Sequence, residues 1–394
     1  MKICAVICEL NPFHNGHEYI FRQARAQSGC DAVLALMSGN FVQRAEPAVT
    51  DEYARAECAL VCGADVVIEL PAIYAVASAE MFARGAIGIL NTINSVTHLA
   101  MGAESENFGL LRALAEIQAN ESEEFKATLR KTLDSGLSYP KALTAATAQE
   151  AGSLGFDKTE AADALNKPNN ILAVAYKKAL IKTASKIEFL PVRRAGGDIS
   201  EEFSGRFTSA SALRKRLGDD IISQAIPSSA YSILRCSLAD GSVSKERLDA
   251  LMLSALRLAN PSKIKDTPDC AEGMEFKISE IATRSASYEE FLSSICTARF
   301  TKGRIARICT QTLLGITKNM QNCGYDFARL LGIRKDKREL LGLLPQNIIT
   351  NKQSERLIPA DMLACFAADQ RASAIYSILT CRRGNGFYRK LLTV

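Results

Sequence analysis

ICAVICELNPFHNGHEYIFRQARAQSG, residues 3–29, decides how the rest of this 394-residue chain is read. Its first eight residues are mostly apolar and β-favouring, the composition of a strand buried on both faces. NPFHNG is turn chemistry. Helical spacing then places Tyr19, Ile20 and Ala24 on one side, and Gly29 can end the helix. The helix opens on two of the chain's three histidines, His14 and His17, with Gly16 between them. A helix N-terminus offers free backbone N–H groups and the positive end of a dipole, which suits phosphate. Gly16 lacks a Cβ, so a backbone or an adenine can approach. Both imidazoles can donate to triphosphate oxygens and stabilise charge developing on a leaving pyrophosphate. A metal pair is the weaker reading, because no third ligand stands nearby.

Working outward, DAVLALM (31–37), DVVIELP (65–71), SVTHLAMG (95–102) and IEFLPV (187–192) read as further strands. Helical segments separate them, DEYARAECALVCGA and SAEMFARGAIGILNTI among them. Strands alternating with helices imply a doubly wound parallel α/β sheet of Rossmann type. Ligands in such sheets bind beyond the carboxyl ends of the strands. Residues 107–165 read as a helical insertion or layer. Past about residue 225 no β alternation is convincing, so 226–394 reads as a mostly helical second domain after an ATP-binding domain over 1–225.

Hydrophobic content of 47% and charged content of 23% are those of a soluble globular protein. No apolar run reaches about 18 residues, which argues against a membrane helix, and the N-terminus reads as a first strand rather than a signal peptide. The 12 cysteines are scattered without a CxxC pair, as expected of free thiols in a reducing cytoplasm. Net charge is only +5, but its distribution is uneven. Residues 299–340 carry ten Lys or Arg against three acids, so the rest of the chain is slightly acidic. That concentration of cation suggests a polyanion partner.

Other candidates sit where ligands are expected. In SGNFVQR after the second strand, Ser38 and Gly39 make a polar turn, and Gln43 and Arg44 can reach a carboxylate or phosphate. Gly102 closes the fourth strand. Asn169 and Asn170 open a helix and can read an adenine edge or ribose, although Asn170 could equally be an N-cap. Arg193 and Arg194 follow the fifth strand, where a cation neutralises phosphate. In TSASALRK, Ser209 and Ser211 with free N–H groups can hold phosphates, and Arg214 or Lys215 adds charge.

These blocks, together with RFTKGRIARICTQTLLGI (299–316) and YDFARLLGIRKDKRELL (325–341), resemble the bacterial tRNA(Met) cytidine acetate ligase family of the HxGH nucleotidyltransferase superfamily. The resemblance runs in order along nearly the whole chain. It implies a ligase that uses ATP, with Mg2+ carried on it, to activate acetate as acetyl-adenylate. The acetyl group then passes to N4 of the wobble cytidine of elongator tRNA(Met). His14 and His17 would be catalytic. ATP would contact Ile7, Cys8, Glu9, Leu10, Asn11, Pro12, Phe13, His14, Asn15, Gly16, His17, Glu18, Tyr19 and Ile20. Gly102, Asn169, Asn170, Arg193, Arg194, Ser209 and Ser211 would complete that site. Ser38, Gln43 and Arg44 would serve substrate or phosphate. Arg304, Arg307, Arg334, Lys335, Lys337 and Arg338 would face tRNA, and the implied location is the cytoplasm with no membrane partner.

Two features depart from the family pattern: Glu52 stands where a Lys is usual, and the loop GGDISEEFSGRF lacks a Tyr-His pair. Two rival classes are a small-molecule nucleotidyltransferase joining AMP to a phosphorylated metabolite and a non-catalytic RNA-binding protein. The basic 299–340 segment argues against the first, and intact HNGH and SASALRK against the second.

Overall fold

The computed structural model describes all residues except 197–201, 272, 298–299, 323, 326, 346 and 383–385. The chain opens β1 (Ile3–Cys8), α1 (Asn15–Ser28), β2 (Ala32–Ser38), α2 (Glu52–Val61), β3 (Val66–Leu70), α3 (Ala72–Ala75), α4 (Ala79–Asn91) and β4 (Val96–Ala103). Four helices follow, α5 (Phe108–Ala119), α6 (Glu123–Asp134), α7 (Tyr139–Ser153) and α8 (Lys158–Ala164). The alternation then resumes with α9 (Pro168–Lys182), β5 (Glu188–Arg193) and the short α10 (Ala210–Arg214). A helical stretch comes next: α11 (Ser228–Asp240), α12 (Lys245–Leu258), α13 (Pro261–Lys265), α14 (Met274–Arg284), α15 (Tyr288–Ile295) and α16 (Lys302–Leu314). It is followed by β6 (Ala328–Ile333), β7 (Ile348–Ile349), α17 (Leu363–Leu379) and β8 (Leu392–Thr393).

The sheet runs in the order β5-β4-β1-β2-β3-β6-β7, with β8 beside β6. Strands β1 to β5 are parallel, as their continuous apolar sequences require for burial on both faces. Alternation along β1 sends Ile3 and Ala5 to a core with α4, α5 and α9, while Cys4, Val6 and Cys8 join α1, α2 and α11 on the other face. The cysteines among the described residues are all free, and no described helix is long and apolar enough to cross a membrane.

The absence of strands expected past residue 225 is corrected by β6, β7 and β8, which lie in the same sheet. Strand β6 runs antiparallel to β3, pairing Glu69 with Arg329 and Val66 with Ile333. All six of its residues are buried, so no polar alternation marks it as a strand. Arg329 is stabilised there by ion pairs to Glu52 and Glu69, and its guanidinium lies 4.0 Å from the Phe387 ring centroid. Glu52 therefore belongs to a buried charge cluster.

Candidate active site

A cleft of about 260 Å³ opens beyond the carboxyl ends of β1, β4 and β5, the edge where parallel sheets take ligands. Its wall begins with the turn after β1. His14 is the N-cap of α1, and its Nδ1 accepts the Gly16 N–H at 3.0 Å. His17 Nδ1 accepts the His14 N–H at 3.2 Å. The two histidines thus cap the helix reciprocally, as Ser and Glu do in a capping box. With both Nδ1 atoms accepting, each neutral ring carries its proton on Nε2. The rings stack at 3.7 Å between centroids. Burial, and then the nearby Arg194 charge, hold the His14 imidazolium pKa down at about 3. Burial first, then His14 and Arg194, hold His17 well below its usual value. Both rings are therefore neutral donors at pH 7. A Cβ at Gly16 would stand 2.8 Å from His14 Cε1, so the glycine makes room for the His14 ring itself.

Not all of residues 7–20 face the cleft. Ile7, Cys8, Glu9, Leu10, Asn11, His14, Gly16, His17, Tyr19 and Ile20 line it. Pro12, Phe13, Asn15 and Glu18 do not. Phe13 packs on Phe21, and Asn15 donates to the carbonyls of Arg206 and Gln224 at 2.9 and 3.1 Å. Those two positions hold the turn and the 206–224 segment together.

Arg193 and Arg194 both line the cleft, as does Gly102. Arg193 is well exposed and pairs with Glu106. Arg194 is different: its Nε is buried with no hydrogen-bond partner among the described residues, and burial lowers its pKa. A buried guanidinium N–H without an acceptor costs free energy that an anion in the cleft would recover. Gly102 passes under it, since a Cβ there would meet Arg194 Cγ at 3.1 Å.

The helix over residues 168–182 starts at Pro168 with Lys167 as N-cap, so Asn170 is no cap. Asn170 is fully buried, and its Oδ1 accepts from the Glu104 and Ser105 N–H groups at 2.9 and 3.2 Å. It fixes the loop after β4 and lies off the cleft. Asn169 lines the cleft, with its Nδ2 held by Glu104 Oε1 at 2.7 Å. Ser209 is the N-cap of α10, Ser211 Oγ accepts from Arg214, and Arg214 also donates to Asn11 O at 2.8 Å. All three line the cleft, and Lys215 does not.

Gln43 and Arg44 line the cleft, whereas Ser38 is fully buried and its Oγ has no hydrogen-bond partner among the described residues. The loop they share is held by a residue the sequence reading missed. Arg55 on α2 is 1% exposed and donates to the carbonyls of Glu9, Ser38, Gly39 and Thr50. One arginine thereby fixes the loops after β1 and β2 together. Its only sequence signal is a charge on the buried side of an amphipathic helix.

The basic segment does not form one surface. Arg307 makes a two-point ion pair with Asp269, at 3.1 and 3.3 Å, and is half-buried. Arg304 Nε donates to Asp269 O at 3.0 Å. These two arginines, expected as phosphate contacts, hold the 266–269 turn through Asp269. Arg334 pairs with Asp336, its backbone N–H donates to Asp65 O, and Lys337 reaches Asp31 O. Asp31 and Asp65 precede β2 and β3, so the 334–338 cluster lies at the edge opposite the cleft. Of that cluster, Lys335 and Arg338 are exposed. Arg299 and part of the GGDISEEFSGRF loop lie outside the described residues.

Known proteins match this arrangement along the whole chain. The family described as HIGH Nucleotidyl Transferase matches residues 1–386. A protein of Acetivibrio thermocellus named tRNA(Met) cytidine acetate ligase is 38% identical over 362 residues, covering 86% of this chain and 85% of the relative. One of the same name from Clostridium perfringens is 34% identical over 393 residues, 96% of each chain. Thermotoga maritima TmcAL in a crystal structure bound with alpha-thio ATP superposes with a TM-score of 0.91 at 31% identity, covering both chains completely. Its apo form gives 0.93 at the same identity and coverage. On residues, fold and cleft alike, the chain belongs to the tRNA(Met) cytidine acetate ligase family of the HIGH nucleotidyl transferases.

Proposed function

We propose that this protein is an ATP-dependent ligase that activates acetate as acetyl-adenylate, releases pyrophosphate, and acetylates N4 of the wobble cytidine of elongator tRNA(Met) in the cytoplasm. The observation that carries the reading is the stacked His14–His17 pair, with each Nδ1 committed to the helix cap and each Nε2–H left to donate. Neutral donors fixed before the reaction stabilise the charge that grows on the departing pyrophosphate without reorganising. Arg194, Arg214 and the α1 N-terminus supply the positive field, and Gly102 and Asn169 border the adenosine. Ser211 and Ser209 serve the terminal phosphates, and Gln43 or Arg44 the carboxylate of the acid.

Among the described residues no group of three or more His, Cys, Asp or Glu could hold a metal ion. Mg2+ would arrive on the ATP phosphates, where this ion usually rides. ATP–pyrophosphate exchange with a panel of short carboxylates, with and without tRNA, tests the reading. Exchange that depends on acetate, followed by acetyl transfer to tRNA(Met), supports it. Exchange indifferent to every carboxylate, with AMP joined to a phosphorylated metabolite instead, overturns it.

A further inference from the structure

Of the described residues lining the cleft, four are arginines and a single one, Glu9, is a carboxylate. It stands where two unlike walls meet. On the α1 side are the histidine pair, Arg194 and Arg214. On the α4 and α9 side are Ile7, Phe82, Met101, Leu172 and Tyr176, all apolar but for one hydroxyl. The first wall suits a triphosphate. The second is too apolar for phosphate and suits the flat face of a base drawn out of a loop.

Glu9 is held in place but not used up. Its backbone carbonyl takes a hydrogen bond from Arg55, and its Oε1 accepts the Gln43 N–H at 2.7 Å. Oε2 has no partner among the described residues. The Tyr176 hydroxyl also has none among them, though its ring is buried and lies near Glu9. A carboxylate kept beside a triphosphate site works against binding, so its presence calls for a cationic or proton-giving partner. Neither acetate nor the phosphate groups of ATP supply a donor of that kind. Cytosine does: its exocyclic amine is the base edge that Glu and Asp accept from.

We propose that Glu9 receives the N4 amine of the incoming cytidine and is the general base of the acetyl-transfer step. The inference rests on the ligase reading above. As N4 bonds to the acetyl carbon, the bond from that carbon to the AMP oxygen breaks. AMP leaves as the phosphate monoester, and one N4 proton passes to Glu9 Oε2. The histidines cannot take this proton, because their only free ring nitrogens already carry one.

The groups around Glu9 are Cys8 on β1, Arg44 in the following loop, Arg55 on α2, Tyr176 on α9 and Arg214 on α10. Burial raises the carboxyl pKa against the Gln43 hydrogen bond and the three arginines, a direction that improves a base working near neutrality.

The test separates the two half-reactions of the purified enzyme. In E9Q the amide oxygen can still accept the Gln43 N–H, and an unfolding midpoint near the wild type checks the fold. Synthetic acetyl-adenylate is mixed with enzyme and tRNA(Met), and single-turnover acetylation is compared with ATP–pyrophosphate exchange. Transfer in E9Q is expected to fall on the order of a hundredfold, the usual share of a general base, and at least tenfold more than exchange. The wild-type transfer rate rises with pH to a plateau, E9Q loses that limb, and E9D keeps it at a lower plateau. Equal losses in both half-reactions, unchanged transfer, or a pH limb surviving in E9Q would each overturn the assignment. Loss of acetate-dependent exchange in the wild type itself would instead strike the ligase reading.

Discussion

Replacing His17 by Ala removes two separate things. One is a neutral Nε2–H aimed into the cleft. The other is the Nδ1 that accepts the His14 N–H at 3.2 Å. A single preorganised donor to a developing oxyanion is worth about 2.7–4 kcal/mol, or roughly 10²–10³ in turnover. Loss of a helix cap costs about 0.5–2 kcal/mol of stability. H17A should therefore lose two to three orders of magnitude in pyrophosphate exchange and about 1 kcal/mol in unfolding free energy. H17N divides the two, because its Oδ1 can accept the His14 N–H while its amide cannot reach as far as Nε2. It should lose similar turnover with stability close to the wild type. Exchange kinetics and urea unfolding measured on the same preparations give both quantities. Turnover in H17A within a few-fold of the wild type, with the fold intact, would refute the reasoning. A turnover loss in H17A that H17N fully restores would show the cap, and not the donor, to be what matters.

Three further outcomes follow from the described geometry. The histidine pair should make nucleotide-free protein acid-sensitive. Both imidazoles have folded pKa values below the unfolded value of about 6.5, so the unfolded state binds more protons in that window and stability falls as pH drops below it. Each ring contributes about 1.4 kcal/mol per pH unit where unfolded is protonated and folded is not. A wild type no more acid-sensitive than a double H14N/H17N variant between pH 6 and 5 would contradict the shifts. R329M should cost about 3–5 kcal/mol in urea unfolding, because it leaves Glu52 and Glu69 buried without their cation; a loss under 1 kcal/mol would mean the cluster is not charged. R307A should lower stability through Asp269 while leaving the salt dependence of tRNA binding unchanged. Replacing an exposed cation that does contact RNA would instead flatten the log–log slope by roughly 0.7–0.9, so a flattened slope in R307A would reopen its role on RNA.

Much of the nucleotide half was legible because its signals are local. A strand, a turn and a helix start announce themselves within 27 residues, and HNGH falls where the dipole end must be. The positions read wrongly are those whose partners are far away in sequence. Asn170 reads as either a nucleotide contact or a cap until Glu104 and Ser105, 65–66 residues earlier, are seen to donate to it. Ser38 reads as a polar turn residue, but it is the last residue of a fully buried strand. Arg55 gives only the weak signal of a charge on a buried helix face, because its acceptors are carbonyls of three separate segments. Glu52 reads as a departure from a basic family pattern, and only Arg329, 277 residues on, explains what an acid does there.

The basic segment shows the same limit on a larger scale. Net charge within 299–340 is a property of the string, and the antiparallel course of β6 cuts that string in two. At its start, Arg329 pairs with Glu69 near the cleft edge; at its end, Ile333 pairs with Val66. Three residue steps along β3 separate those two pairings by about 10 Å. The 334–338 cations are thus carried away from the cleft, while α16 stays on its side, with Thr310 donating to Ala45 O next to Arg44. The exposed Lys302 at the start of α16 belongs to the helix that packs on the cleft loop, and its replacement is the natural comparison with R307A in the tRNA-binding assay. For a ligand as large as tRNA, a cation on that far edge would act through backbone contacts, which orient a nucleic acid without reading its bases.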